Sequence, residues 1–190
     1  VILLEDDPSQ AATARGWLYE RGVYGSRVTV QTIEPKGRLP LRGNFANLIV
    51  ADGSVGDVDE LIRVLRPKSP TVFIDKGREM LEAANVKSMR VDDFQVAYKD
   101  LPHGIGQWTH QYGTVANGAS CGETLGGASG TGDLEIQWLG RPGGDFGLDR
   151  NPRMPAPLSL DGRLFHQGMN RIVSLDACNC TGLWDLDVPA

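Results

Sequence analysis

Four carboxylates follow the apolar segments in the first half of this 190-residue chain. They are Glu5 and Asp6 after Val1–Leu4, Glu34 after Arg27–Ile33, and Asp52 after Ala46–Ala51. Each preceding segment is continuously apolar or alternates apolar with polar residues, as β-strands do. Ligands of open parallel sheets bind beyond the carboxyl ends of the strands, which makes these carboxylates candidate ligand contacts. The alternative is a structural role, in which each carboxylate caps the helix or turn that follows.

The three cysteines, Cys121, Cys178 and Cys180, contain no C-x-x-C pair, and a Cys-x-Cys spacing is poor for a disulfide bond. Small, partly buried thiols are therefore expected. The alternative is a metal site completed by a histidine, but no spacing matches that of zinc ligands, and we predict no metal.

No motif identifies a catalytic residue, and none is assigned. Thr109-His110 could act as an acid–base pair, but a hydrogen-bonded structural histidine is favoured because no partner has suitable spacing. The glycine-rich stretch Ala119–Gly132 lacks the Gly-Lys-Ser/Thr ending of a phosphate-binding loop.

Charge and hydropathy exclude two classes of partner. The net charge is −5, and no stripe rich in lysine and arginine is visible, which argues against binding to nucleic-acid phosphates. No run of about 18 apolar residues occurs, so no membrane span is expected. The opening segment VILLEDD resembles a strand entered in mid-domain, which predicts that further chain precedes Val1.

Composition changes near residue 100. No lysine follows Lys99, whereas two thirds of the 24 glycines do. The segment Asp100–Gly106 has the character of a linker. We therefore predict an α/β domain over residues 1–100 and an all-β segment over residues 101–190.

In the first half, strand-like and helical segments alternate. Asp7 has the features of a helix N-cap, with Pro8 at the first helical position, Gln10 completing a capping box, and Gly22 ending the helix. The apolar stripe of this helix includes Trp17. Further helices are expected over Asp57–Leu65 and Lys76–Ala84, strands over Ala46–Ala51 and Thr71–Ile74, and an edge strand over Met89–Tyr98. Alternation of this kind predicts right-handed βαβ units and a partial Rossmann-like parallel sheet.

Four stretches carry a resemblance to a known family. They are VILLEDDPSQAATARGWL, RVTVQTIE, FANLIVADG and ELIRVLRPKSPTVFID. They resemble strands two to five of class-I S-adenosylmethionine-dependent methyltransferases. The resemblance implies that Glu5, with Asp6 as near neighbour, binds the ribose hydroxyls. It also implies that Glu34 lies beside the adenine, and that Asp52 faces the methyl donor or acceptor.

The chain departs from that family at two points. The first strand of the family and its glycine-rich loop would precede Val1, and no G-x-G-x-x-G occurs. The family's Pro-Gly-Gly turn is replaced by Pro67-Lys68-Ser69. We therefore predict that these residues alone hold no cofactor, while S-adenosylmethionine remains possible in a full-length protein.

The second half is expected to form an antiparallel sheet. The runs Gly162–Phe165 and Arg171–Leu175 flank the turn residues Gly168–Asn170, and a last strand ends at Trp184. Asp133–Leu139 alternates and predicts a further strand. The segments around Asp161–Phe165 and Ser174–Trp184 resemble one blade of the pyrroloquinoline-quinone-like (quinoprotein-type) β-propellers. A blade needs neighbouring blades to cover its edges.

Three functional hypotheses follow. The first is a fragment of a larger bacterial multidomain protein with a structural or interaction role. Its open sheet edges would pair with the remainder of its own chain or with another protein. The second is an S-adenosylmethionine-dependent methyltransferase with a propeller as targeting module, and the third is a propeller oxidoreductase. The propeller resemblance favours the periplasm or the cell surface, whereas free thiols are compatible with the cytoplasm.

Overall fold

The computed structural model describes residues 1–35, 37–52, 57–74, 81, 87–140 and 155–189. The chain forms two compact units. The first unit comprises Val1–Arg42, Ile49–Val64 and Thr71–Ala97, and the second comprises Gly43–Leu48, Leu65–Pro70 and Tyr98–Ala190. The second unit therefore includes two short segments from the first hundred residues. A functional division near residue 100 stays a prediction.

The first unit begins with a βαβ element: β1 (Ile2–Glu5), α1 (Pro8–Glu20) and β2 (Thr29–Thr32). The two strands pair in parallel. As predicted, the Asp7 side chain caps α1 by accepting from the Ser9 and Gln10 N–H groups at 2.7 and 3.4 Å. The Asp7 N–H donates to the Glu5 carboxylate at 3.1 Å, so Glu5 fills the role that the capping box assigned to Gln10.

Fewer residues of α1 are buried in the core of this element than its apolar stripe predicts. Ala11 and Leu18 of α1 are buried with Val30 of β2. Trp17 is 55% exposed, so its place in the buried stripe was wrong. A two-stranded sheet covers only a narrow face of the helix, and Trp17 lies beyond that face.

The rest of the first unit contains a second, separate sheet. Strands β3 (Ile49–Asp52) and β4 (Pro70–Ile74) are parallel, with α2 (Val58–Val64) between them in sequence. The expected edge strand over Met89–Tyr98 is instead a hairpin, β5 (Ser88–Val91) and β6 (Phe94–Tyr98), and the sheet order is β3-β4-β6-β5. Asp92 turns the chain with a φ of 52°, in the left-handed region that Asp tolerates. Most of the helix expected over Lys76–Ala84 lies outside the described residues.

An ion pair on α2 holds the segment that precedes β3. Arg63 Nε donates to Glu60 Oε1 at 2.7 Å, and Arg63 also bonds the Leu39 and Leu41 carbonyls. The Leu39 N–H donates to Glu60 Oε2 at 2.9 Å. These contacts lower the pKa of Glu60 to about 2, chiefly through the hydrogen bond from Arg63.

Substitution of Glu60 by Gln is expected to lower the free energy of unfolding by an amount that depends on pH. The folded pKa of Glu60 lies below its ordinary 4.5, so the ionised carboxylate stabilises the fold above pH 4.5 and stops doing so as pH falls towards 2. Because the pair is partly screened by water, the loss is about 1 kcal/mol at neutral pH. Urea unfolding of both proteins should show this difference at pH 7 and none near pH 2. An equal difference at both pH values would contradict the assignment.

The second unit contains a four-stranded antiparallel meander, which confirms the predicted antiparallel sheet. Its strands are β7 (Leu158–Leu160), β8 (Arg163–Gly168), β9 (Arg171–Asp176) and β10 (Gly182–Asp187), in the order β10-β9-β8-β7. Two-residue turns connect β7 to β8 and β8 to β9. Asp161, Gly162 and Asn170 have φ values of 53°, 76° and 52°, as such turns require. Short 3₁₀ turns occur at Leu125–Gly127 and Thr131–Asp133.

The strand predicted over Asp133–Leu139 is wrong. Among the residues that the structure describes, none pairs with this segment, and Leu134, Ile136 and Leu139 are exposed. The segment is held through Trp138, whose Nε1–H donates to the Ala177 carbonyl at 2.9 Å. A strand requires a neighbouring backbone, which alternation in sequence cannot supply. Within the described part of the chain, no helix has the length and apolarity needed to cross a bilayer.

Candidate functional site

The candidate carboxylates lie at or just after the carboxyl ends of the parallel strands. Glu5 is the last residue of β1 and is half-buried, while Asp52 is the last residue of β3 and is exposed. Asp6 and Glu34 are exposed and follow β1 and β2. Because β1 and β2 are parallel neighbours, Glu5 and Glu34 lie at the same end of this sheet, where both strands have their carboxyl ends. Asp52 ends a strand of the other sheet, and a common role for these carboxylates as ligand contacts stays a prediction.

Glu5 combines both roles considered for it. Its carboxylate accepts the Asp7 N–H, which is the structural role of holding the turn into α1. The Asp7 carboxylate in turn binds Ser9 and Gln10, and these hydrogen bonds lower its pKa. Glu5 also lines an open groove, so its side chain is accessible from one side.

Whether these residues by themselves hold a nucleotide cofactor stays a prediction. The first glycine of the chain is Gly16, inside α1, so no glycine lies in the turn between β1 and the helix. In the resembled family the glycine-rich loop follows the preceding strand, so this turn does not test the prediction. The groove beside Glu5 is mainly apolar.

The groove runs between β1 and the exposed side of α1 and has a volume of about 610 Å³. It is lined by residues of β1, α1 and the segment before β2: Val1, Leu3, Glu5, Ser9, Gln10, Thr13, Ala14, Trp17, Leu18 and Val28. Leu3 and Trp17 are 41% and 55% exposed. Sequence reasoning missed this groove because both residues have the types expected of a filled core. No pattern in the sequence signals that these two residues stay uncovered.

The backbone of β1 is paired on one side. The Val1 carbonyl accepts from the Thr29 N–H and the Glu5 carbonyl from the Ile33 N–H, both at 3.0 Å. Successive residues of a strand direct their backbone groups to opposite sides. Ile2 and Leu4 therefore direct theirs away from β2, and among the described residues no other strand pairs with β1.

The open edge of β3 has the same character. Within the described residues β3 pairs only with β4, and Val50 is 60% exposed. At the opposite edges of these two sheets, β2 (TVQT) and β5 (SMRV) carry polar or charged residues, as natural sheet edges do. In contrast, β1 (ILLE) and β3 (IVAD) have the apolar composition of interior parallel strands.

Charge is distributed unevenly along the groove. Its end at the carboxyl terminus of β1 has Glu5, Asp6 and Asp7 in sequence. At the other end, where α1 terminates, the Arg21 guanidinium stacks 3.7 Å above the Trp17 ring. An occupant would thus meet a negative field at one end and an aromatic wall at the other.

The thiols and histidines form no comparable site. All three cysteines are reduced thiols, and burial raises the pKa of Cys178 and Cys180, which disfavours a reactive thiolate. His110 Nδ1 lies 2.9 Å from the Thr109 hydroxyl, a local contact of the kind a structural histidine makes. In the described ranges no group of His, Cys, Asp and Glu is placed to hold a metal ion.

Comparison with known proteins gives limited similarity. No family model matches the chain, and no curated protein matches it. One similar solved structure is a candidate S-adenosyl-L-methionine-dependent methyltransferase from Methanococcus maripaludis, with a TM-score of 0.44 and 14% identity, covering 55% of this chain and 68% of that one. Another is a structural-genomics target from Corynebacterium glutamicum, with a TM-score of 0.39 and 16% identity, covering 55% of this chain and 62% of that one. At these values neither similarity assigns a family or an activity to this chain.

Proposed function

We propose that this chain is an interaction module of a larger bacterial assembly. Its open parallel edges, β1 and β3, would pair with strands supplied by the remainder of its own chain or by another protein. The observation that carries this proposal is the apolar strand β1, hydrogen-bonded in the described structure to β2 alone and bordered by an open groove. An exposed apolar edge of this kind is a template for a further strand.

The hydrogen-bonding capacity of the edge supports the same role. Ile2 and Leu4 each direct one N–H and one C=O away from β2, and a docked strand would satisfy them. Main-chain hydrogen bonds contribute affinity in strand addition, while pockets for alternate side chains contribute specificity. The groove beside Leu3 and Trp17 is such a pocket.

Association of the isolated chain is the expected consequence. Light scattering should give a mass above the 20.6 kDa of one chain, and Val50→Lys or Leu3→Lys should shift it towards the monomer. A lysine on an edge strand disfavours pairing because its charge must be desolvated. Val91→Lys is the matched control, since Val91 is also exposed on an edge strand, β5, but in a polar setting. A monodisperse monomer at every concentration would count against the proposal.

A methyltransferase is the second candidate, and one observation favours it. Glu5, Glu34 and Asp52 all lie at or beyond the carboxyl ends of parallel strands, where ligands of such sheets bind. Because the chain contains no G-x-G-x-x-G and the resembled family has its glycine-rich loop before the strand that matches β1, S-adenosylmethionine would need that loop from outside these residues. Isothermal titration of a longer protein with millimolar S-adenosylmethionine decides this, and an absence of heat would exclude this candidate.

For the second unit we propose the role of one sheet in a larger β-structure. β10 is the outer strand of the meander, and Leu183, Trp184 and Leu186 on it are 41%, 45% and 54% exposed. Trp184 contacts Phe165 with ring centroids 6.1 Å apart, which leaves the rest of the indole available to a neighbouring sheet. A propeller of such sheets, and a location in the periplasm or at the cell surface, belong to this proposal.

A further inference from the structure

We infer that the groove beside β1 selects an extended apolar segment that carries a basic side chain at the end meeting Glu5. This inference rests on the proposed function and names the chemistry of the partner strand. It follows from the position of the groove, the direction of its backbone groups and the charge at its two ends.

The walls of the groove require apolar side chains at alternate positions. Leu3 and Val30 are cross-strand partners on the face of the sheet that α1 covers, and Val30 is buried there. A strand paired to Ile2 and Leu4 would direct every second side chain to that face, beside Leu3, Ala14 and Trp17. A polar side chain beside these three residues would lose hydration that their apolar side chains do not replace.

The size of the groove is compatible with a peptide segment. Its volume of about 610 Å³ lies within the roughly 300–1,000 Å³ of typical ligand sites. β1 contains four residues, so an occupant pairing along its length is a short strand.

The acidic residues at one end of the groove determine which end of the occupant carries a basic side chain. Glu5 lines the groove, and the exposed Asp6 follows it. The Asp7 carboxylate is already bound to Ser9 and Gln10, so it contributes mainly through its field. A lysine or arginine at this end is attracted to Glu5 and Asp6, whereas an acidic residue is repelled. At the opposite end, Arg21 over Trp17 disfavours a second cation.

The test uses labelled synthetic peptides of alternating valine and threonine that end in either lysine or glutamate. Fluorescence anisotropy with the intact chain should show saturable binding of the lysine peptide, about three- to ten-fold tighter than that of the glutamate peptide. This preference should shrink in high salt. Glu5→Gln should abolish most of the preference while keeping an oxygen that accepts the Asp7 N–H. Asp93→Asn, which neutralises an exposed carboxylate in the β5–β6 turn outside the groove lining, is the control and should leave the preference unchanged.

A second measurement separates failure of this inference from failure of the proposed function. Hydrogen exchange should show that either peptide, once bound, protects the Ile2 and Leu4 amides, and Trp17→Ala, which alters only an exposed wall, should weaken binding of both. Protection of these amides with equal affinity for the two peptides would overturn the charge preference and leave strand pairing intact. Binding of neither peptide, with no effect of Val50→Lys on association, would overturn both.

Discussion

Substitution of Asp176 by Ala is expected to lower the free energy of unfolding of the second unit by about 3–5 kcal/mol. Asp176 is only 1% exposed, and its carboxylate forms an ion pair with Arg66. The same carboxylate accepts from the Cys178 and Asn179 N–H groups at 2.9 and 3.1 Å. Alanine would leave a half-buried guanidinium and two backbone donors without this acceptor, and the desolvation of those groups would no longer be offset. Chemical denaturation followed by circular dichroism measures the change.

Two further variants separate charge from hydrogen bonding at this position. Asp176→Asn retains an oxygen that accepts from the Cys178 and Asn179 N–H groups, so it should lose less than alanine. Asp161→Asn is the surface control, because Asn tolerates the positive φ at this turn position: Asp161 pairs with Lys68, and both side chains are about half exposed, at 51% and 48%. Exposed pairs contribute about 0–1 kcal/mol. A loss at Asp176 no larger than that at Asp161 would contradict the role given to the buried pair.

Substitution of Phe73 by Ala is expected to lower the free energy of unfolding of the first unit by about 3–5 kcal/mol. Phe73 lies in β4, is 0% exposed, and is the largest fully buried side chain of the described residues. Alanine would remove its apolar area from the core and leave a cavity that the surrounding residues cannot fully close. Amide hydrogen exchange resolved by peptide measures this loss, because protection should fall in β3, β4 and β6.

Phe94 provides the matched control for Phe73. It belongs to β6 of the same sheet but is 42% exposed. Phe94→Ala should therefore cost much less than Phe73→Ala. If both substitutions reduced protection equally, the packing described for β4 would be wrong.

The two substitutions also test the division into units. Asp176 belongs to the second unit and Phe73 to the first. Mutations without shared contacts add in their effects, whereas coupled sites do not. We expect the double variant Phe73→Ala, Asp176→Ala to show additive losses, each confined to the amides of one unit. A single cooperative loss across all strands would show that the units unfold together.

Local structure was predictable where one residue determines the backbone by itself. Asp7 and Pro8 begin α1, and Gly22 follows it with a φ of 65°. Asp161-Gly162 and Asn170 form the tight turns of the meander for the same reason, since Asp, Gly and Asn tolerate positive φ. Lys68 shows the limit of this reasoning. It stands where the resembled family has glycine and takes a φ of 61°, while its ammonium group pairs with Asp161.

The candidate site was only half predictable. The sequence placed Glu5, Glu34 and Asp52 at strand ends, because strands are recognisable from their apolar runs. It did not predict the groove, since whether Leu3 and Trp17 are covered depends on which neighbours the strand acquires. It also assigned a strand to Asp133–Leu139, where alternation was present but no described residue pairs with the backbone.

The sequence by itself determined the Asp7 cap, the tight turns of the meander and the overall acidic charge. Each of these depends on residues close together in the chain or on composition alone. The tertiary structure decided the separation of β1-β2 from β3-β4-β6-β5, the exposure of Trp17, and the burial of Asp176 beside Arg66, 110 positions away in the chain. These features arise from contacts between distant residues, whose formation depends on which surfaces become neighbours when the chain folds.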